Sequence, residues 1–354
     1  MRLIDILGSG DSTPDPVPDT FRPAPTPQSV PDPQDGPLLP RAQPRPAERP
    51  RPVFAPQKPA PRRYERRSGS TIGERAAEAW HKSHGGSRIE IPIGTVAALA
   101  LLPYQGQDVP TMADWLMGLS DKELWKLYEE TWAFHWINRP DLIDRASVLA
   151  RWLEEEKPGG DVVRGVRAVT HAVLKCGLLE YTASDIIGLR ADTDLMSWTL
   201  TNLRSEGAGK ALAEVHTPPA LCDLLARMTY GNGSDITPGM AFYEPAAGTG
   251  GMFRSLANHI RDLGHNPHDF TWHMTDIDPL AAACAAVNVL LWDLGPTAYV
   301  SCGDSLADRE LPRKAEQHAA AGRAHRDHMV QSAHLIAAVG RAERLLNQVT
   351  GSTP

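Results

Sequence analysis

Glu244-Pro245-Ala246-Ala247-Gly248-Thr249-Gly250-Gly251-Met252-Phe253 is the stretch on which the fold turns. Glycine at 248, 250 and 251 lets the backbone turn tightly and approach a ligand closely. Met240 to Glu244, just before it, reads as a short strand, and Gly251 to Leu263, just after it, reads as a helix. Such a turn sets the free amides of a helix N-terminus beside the end of a strand, the arrangement by which parallel sheets hold nucleotides. The loop is not a P-loop, because G-x-x-x-x-G-K-[ST] and its phosphate-binding Lys are absent. The third glycine of the dinucleotide fingerprint would fall at Phe253, which disfavours a nicotinamide-dependent oxidoreductase. A structural turn without a ligand is the remaining alternative.

Downstream the strand, turn, helix rhythm continues. Thr271 to Thr275 is expected as the next strand, Pro279 to Leu294 as the next helix and Ala298 to Cys302 as a third strand. The fold class expected is α/β, the first half of a Rossmann-like nucleotide-binding domain. At the end of the second strand, 28 residues after Gly248, stands Asp276-Ile277-Asp278-Pro279. An acidic residue there can accept hydrogen bonds from ribose hydroxyls, whereas Asp278 before Pro279 also reads as a helix N-cap. A further 28 residues on, Gly303-Asp304-Ser305-Leu306 ends the third strand. Upstream, Glu214-Val215-His216-Thr217-Pro218-Pro219-Ala220-Leu221 fits a helix start with Thr217 as its cap, or the wall of a ligand pocket.

Together these motifs resemble the methylase subunits of type I restriction-modification systems, which are DNA adenine-N6 methyltransferases. The octet from Glu244 to Gly251 is similar to that family's Asp-Pro-Ala-x-Gly-Thr-Gly-Gly loop, with Glu in place of the more usual Asp. The resemblance implies S-adenosyl-L-methionine as cofactor, its methionine part wrapped by Glu244, Pro245, Ala246, Gly248, Thr249, Gly250 and Gly251. His216, Thr217 and Pro218 match the family's Gly-x-Phe-Tyr-Thr-Pro stretch, with His216 for the aromatic and Ala213 for the glycine, and would line the same pocket. Asp276 would take the ribose, Asp278 shape the turn after it, and Asp304 bind the adenine amino group. The resemblance covers about residues 200 to 306.

The family's next motif, Asn-Pro-Pro-aromatic, holds the flipped target adenine, and it occurs nowhere in this chain. The nearest string, Asn138-Arg139-Pro140-Asp141, precedes the glycine loop and lacks the aromatic residue. No catalytic residue is therefore assigned, and a family-sized target-recognition region is also missing. The resemblance implies a DNA methyltransferase-like protein whose partners are duplex DNA and a specificity or catalytic subunit. The alternative is a non-catalytic cofactor-binding or regulatory partner of a complete methylase.

Working toward the amino terminus, residues 70–205 carry apolar positions three and four apart and are expected to form a helical domain. Ser120-Asp121-Lys122-Glu123 is a capping box. Pro140 starts a helix carrying Ile143, Val148, Leu149 and Trp152 and stopping near Lys157-Pro158-Gly159-Gly160. Another helix runs from Asp161 to about Leu178, and shorter ones follow Thr182 and Asp192. Seven of the nine tryptophans fall between Trp80 and Trp198, at spacings that mark a packed core. Residues 1–68 hold 17 of the 31 prolines, which prevent helix and sheet alike, so this arm is expected to be disordered. The net charge of -7 conceals a local excess there: Arg41 to Arg67 carries nine basic residues against Glu48 and Glu65, 9 - 2 = +7. Such a segment is drawn to phosphate backbones; a solvated linker is the other reading.

The methylase-like domain is assigned to residues 206–312, and 313–354 to a terminal helix and tail. In the latter Met329, Ala333, Ile336, Val339, Ala342, Leu346 and Val349 share one helical face. His318, His325, His328 and His334 lack an acidic ligand cluster, so no metal site is expected. Cys176, Cys222, Cys284 and Cys302 are scattered with no C-x-x-C pair, as in small core residues of a cytoplasmic protein. Met1 to Gly10 lacks the apolar core of a secretory signal, and Ile91 to Leu102, the longest apolar run, is well short of the ~20 residues that span a bilayer. No membrane association is expected.

Overall fold

The computed structural model describes residues 67–103, 109–155, 158–184, 186–204 and 217–350. All of them lie within the compact unit Lys58–Pro354. The expected disordered arm, except for Arg67 and Ser68, falls outside the described residues, as do Glu214 and His216. Among the described residues the chain is mostly helical with one small parallel sheet.

Ten α-helices precede the sheet among the described residues, the first nine being α1 Gly69–His84, α2 Glu90–Ala100, α3 Val109–Gly118, α4 Asp121–Asn138, α5 Pro140–Ala146, α6 Gly160–Lys175, α7 Leu179–Thr182, α8 Ile187–Arg190 and α9 Leu195–Leu203. Ser68 accepts a hydrogen bond from the Thr71 amide and so caps α1. The capping box at Ser120 and Glu123 is formed in both directions and starts α4. Helix α1 packs on α6 and α9, and α2 lies among α4, α6 and α9 with every residue from Ile91 to Ala100 buried. Trp80, Trp132 and Trp152 are core residues, whereas Trp115 is 52% exposed.

The expected long helix from Pro140 ends at Ala146 and gives way to two 3-10 turns, Ser147–Leu149 and Arg151–Glu154. The cause is a close crossing. A Cβ on Gly94 would stand 1.8 Å from the Leu149 carbonyl oxygen, so the tightened turn sits directly on the backbone of α2. Trp152 donates back to the same carbonyl at 2.7 Å.

After α10, Pro219–Tyr230, the chain alternates between strand and helix: β1 Ala241–Glu244, α11 Gly251–Asp262, β2 Thr271–Asp276, α12 Pro279–Leu291, β3 Ala298–Cys302. The sheet order is β1-β2-β3 and both pairings are parallel, with Ala241 opposite Thr271 and Trp272 opposite Ala298. Parallel neighbours need a crossover, which α11 and α12 supply. Helix α12 stops three residues earlier than expected, in a turn where Asp293 and Gly295 both take positive φ. Its Ala-rich faces are buried against α5, α9 and β3.

The helical layer is fastened to the sheet by Arg139. Its guanidinium makes a two-point pair with Asp141, Nε–Oδ1 3.0 Å and Nη2–Oδ2 2.9 Å, and also donates to the carbonyls of Gly295 at 2.9 Å and Ala298 at 2.7 Å. Side-chain exposure is 14% for Arg139 and 5% for Asp141.

Helix α13, Leu311–Thr350, runs for 40 residues. Leu311, Ala315 and Ala319 are buried, and the helix packs on β2, β3 and α5. The apolar face read from the sequence is solvent-facing where it is described, with Met329, Ile336, Val339 and Leu346 exposed. Among the described residues no helix is long and apolar enough to cross a membrane.

Candidate functional site

The carboxyl ends of the three strands converge on the glycine loop. Gly248 at φ +54 and Gly250 at φ +94 take left-handed conformations, and a Cβ on Gly250 would press on Met274 at 3.1 Å and Trp292 at 3.2 Å. Gly251 has ordinary φ and is simply the first residue of α11. No side chain caps that helix start, so its first amides are left for another partner.

Asp276, at the tip of β2, accepts from the Gly248 amide at 2.7 Å and the Asp278 amide at 2.9 Å, which fixes its carboxylate against the loop. Asp278 caps α12 through the amides of Leu280 at 3.2 Å and Ala281 at 2.9 Å, and it also pairs with Arg204. The cap expected from sequence is therefore present. Asp304 is exposed and accepts from the amides of Leu306 and Ala307. Glu244 accepts from the Ala246 amide at 3.2 Å.

A cavity of about 560 Å³ opens beside the loop. Of the residues singled out in the sequence, Thr217, Pro218, Glu244, Ala246, Gly248, Thr249 and Gly251 line it. Pro245, Gly250, Asp276, Asp278 and Asp304 do not line it, although Asp276 reaches the wall through Gly248. Thr217 is not a helix cap. The N-cap of α10 is Pro218, which offers no side-chain acceptor, and the Thr217 carbonyl instead lies 3.7 Å from Cys222 Sγ.

Sequence reasoning missed one wall of this cavity altogether. Asp194, Ser197, Trp198 and Thr201, at the start and along one side of α9, line it, so Trp198 is a pocket residue as well as a helix-packing one. Asp194 is 7% exposed and receives three hydrogen bonds: from the Ser197 amide at 2.9 Å, Asn288 Nδ2 at 2.8 Å and Thr249 Oγ1 at 2.6 Å. Asn288, itself fully buried, also donates to the Thr249 carbonyl at 2.8 Å. Helix α9 and helix α12 thus grip the glycine loop between them. Burial pushes the Asp194 carboxyl above the usual range, while hydrogen bonds from Thr249, Ser197 and Asn288 and the charge of Arg254 pull the other way. The only sequence signal was the Asp before an apolar helix, which says cap and nothing about a loop 55 residues away.

Helix-linked parallel strands with a glycine loop and an acidic residue at their carboxyl ends make this part of the chain a parallel α/β arrangement. Residues 192–324 match the N-6 DNA Methylase family model. The match begins just before Asp194 and takes in every strand-end residue named above. No curated protein matches the chain. Among solved structures it is similar to the type I restriction-modification system methyltransferase subunit from Streptococcus thermophilus, at 13% identity and a TM-score of 0.38. That similarity covers 68% of this chain and 59% of the other, so the chain spans less than two thirds of that subunit's length.

Proposed function

We propose that this chain binds S-adenosylmethionine and acts as the cofactor-holding half of a DNA adenine methylase of the type I kind. The observation that carries the reading is the Asp276–Gly248 contact, an acidic strand tip bonded to a positive-φ glycine loop beside a 560 Å³ cavity. The residues fit the cofactor's chemistry. Uncapped amides of α11 suit a carboxylate, Glu244 and Asp194 suit positive charge, and Asp276 and Asp304 keep lone pairs for ribose and adenine. When bound, the cofactor supplies an electrophilic methyl group. His216, next to Thr217 in sequence, belongs to the same proposed set.

Calorimetry with S-adenosylmethionine and with its demethylated product tests the reading. Asp276→Ala is expected to weaken binding by about 1 to 3 kcal/mol, the usual worth of hydrogen bonds to a charged acceptor. An unchanged affinity in that variant, or no heat from the parent protein, would sink the assignment.

Duplex DNA is the proposed macromolecular ligand, met by the +7 segment Arg41 to Arg67 and by the methylase surface. Removing residues 1–66 should weaken DNA binding and flatten its dependence on salt; an unaltered salt slope would reduce the arm to a linker. A catalytic or specificity subunit completes the proposal, since the chain contains no Asn-Pro-Pro-aromatic string. The setting we propose is the cytoplasm, where four unpaired thiols are stable. A regulatory role without catalysis, as the partner of a complete methylase, uses the same cofactor site.

A further inference from the structure

A carboxylate nine-tenths buried in a cavity wall is costly unless something compensates its charge. Asp194 is such a group, and its three hydrogen-bond donors are all neutral: a backbone amide, a side-chain amide and a hydroxyl. None of the ion pairs among the described residues includes it. The neighbouring cations direct their hydrogen bonds and ion pairs elsewhere, and Arg254, which also lines the cavity, acts on Asp194 only through space. Arg254 donates to the carbonyls of Ala191 at 2.9 Å and Asp192 at 3.3 Å and pairs with Asp223 at 3.5 Å, while Arg204 pairs with Asp278. The start of α11 contributes only partial positive charge, from near Gly251, where an added Cβ would lie 3.8 Å from Asp194 Oδ2. The cavity is therefore faced by two acidic groups, Asp194 and Glu244, against the single cation Arg254, and Asp194 itself has no ion-pair partner among the described residues.

We propose that Asp194 makes this cavity select the cationic, methyl-bearing form of the cofactor over its neutral, demethylated product. The inference rests on the reading that the cavity takes S-adenosylmethionine. The two forms differ by one methyl group and by the positive charge on sulfur, so the ratio of their affinities reports the field at that point. In a site partly closed to water, that field acts over several ångströms without direct contact. Helix α9 would thereby tie product release to a residue outside the glycine loop. Asp194 touches neither reacting atom nor DNA in this account; it sets specificity through charge.

The test is titration calorimetry of the full chain with both ligands, at one pH and ionic strength, on the parent, Asp194→Asn and Thr249→Val. The parent should bind S-adenosylmethionine at least about tenfold more tightly than the demethylated form. Asp194→Asn should bring that ratio to within about twofold of unity. Thr249→Val removes a hydrogen bond to Asp194 but no charge, so both affinities should fall while the ratio stays at the parent value. A merely structural role for Asp194 would weaken both ligands alike and leave the ratio untouched. Equal affinities in the parent, which need no variant to measure, would overturn the inference, as would a parent-like ratio in Asp194→Asn. Failure of both ligands to bind the parent would instead overturn the cofactor reading on which it stands.

Discussion

The full chain, supplied with radiolabelled S-adenosylmethionine and duplex DNA of varied sequence, is expected to transfer no label above a no-enzyme control. The adenine amino nitrogen is conjugated with its ring and is a poor nucleophile. Attack on a methyl group needs acceptors that draw its hydrogens as the bond forms, and each such preorganised group is worth roughly 10²- to 10³-fold in rate. In the family that this sequence resembles, those acceptors come from Asn-Pro-Pro-aromatic, whose ring also stacks on the extruded base. Without it, the few kcal/mol needed to unstack and unpair the target go largely uncompensated. Binding and chemistry should separate, with heat released on adding cofactor and no product formed. Incorporation that disappears in Asp276→Ala would show that another segment of this chain supplies the acceptors.

Arg139→Leu should lower the free energy of unfolding by about 3 to 5 kcal/mol, measured by urea denaturation. The substitution strands Asp141, 5% exposed, without its two-point partner, and it removes the donors held by the carbonyls of Gly295 and Ala298. Breaking one side of a buried pair is far more damaging than removing both, because the remaining charge stays in a poorly solvated place. Arg139→Leu combined with Asp141→Leu should therefore recover a large part of the loss. A single variant within about 1 kcal/mol of the parent would mean that water reaches the pair and that the fastening of helical layer to sheet lies elsewhere.

The contrast between loop and wall explains what could be read from the sequence. Strands β1 to β3 were legible almost to the residue because glycine and aspartate punctuate their ends, and β2 merely extends one residue further, to Asp276. The parallel sheet and the resemblance to the N-6 DNA methylases follow from the same punctuation. The break after Ala146 was not legible, since Ser147 to Glu154 keeps helical spacing and only the approach of Gly94, more than fifty residues earlier, tightens it. Asp194 was missed for a related reason: its partners Thr249 and Asn288 are 55 and 94 residues away, and a single sequence carries no mark of such a meeting. The exposed stripe on α13 was correctly periodic, yet periodicity alone does not say whether a face is covered.

The strand order carries a consequence for how the chain closes on itself. In β1-β2-β3 each strand pairs with its nearest predecessor, so the pairings of Ala241 with Thr271 and of Trp272 with Ala298 close short loops. The grip of Arg139 on Ala298 joins residues 159 apart. Closure entropy grows as the logarithm of loop length, and the longer loop costs about 1.5 kcal/mol more than the shorter ones. The sheet pairings therefore cost less closure entropy than the contacts that dock the helical layer. Docking of the helical layer is the step that must gather distant residues, and it is also the step that brings Asp194 to the glycine loop.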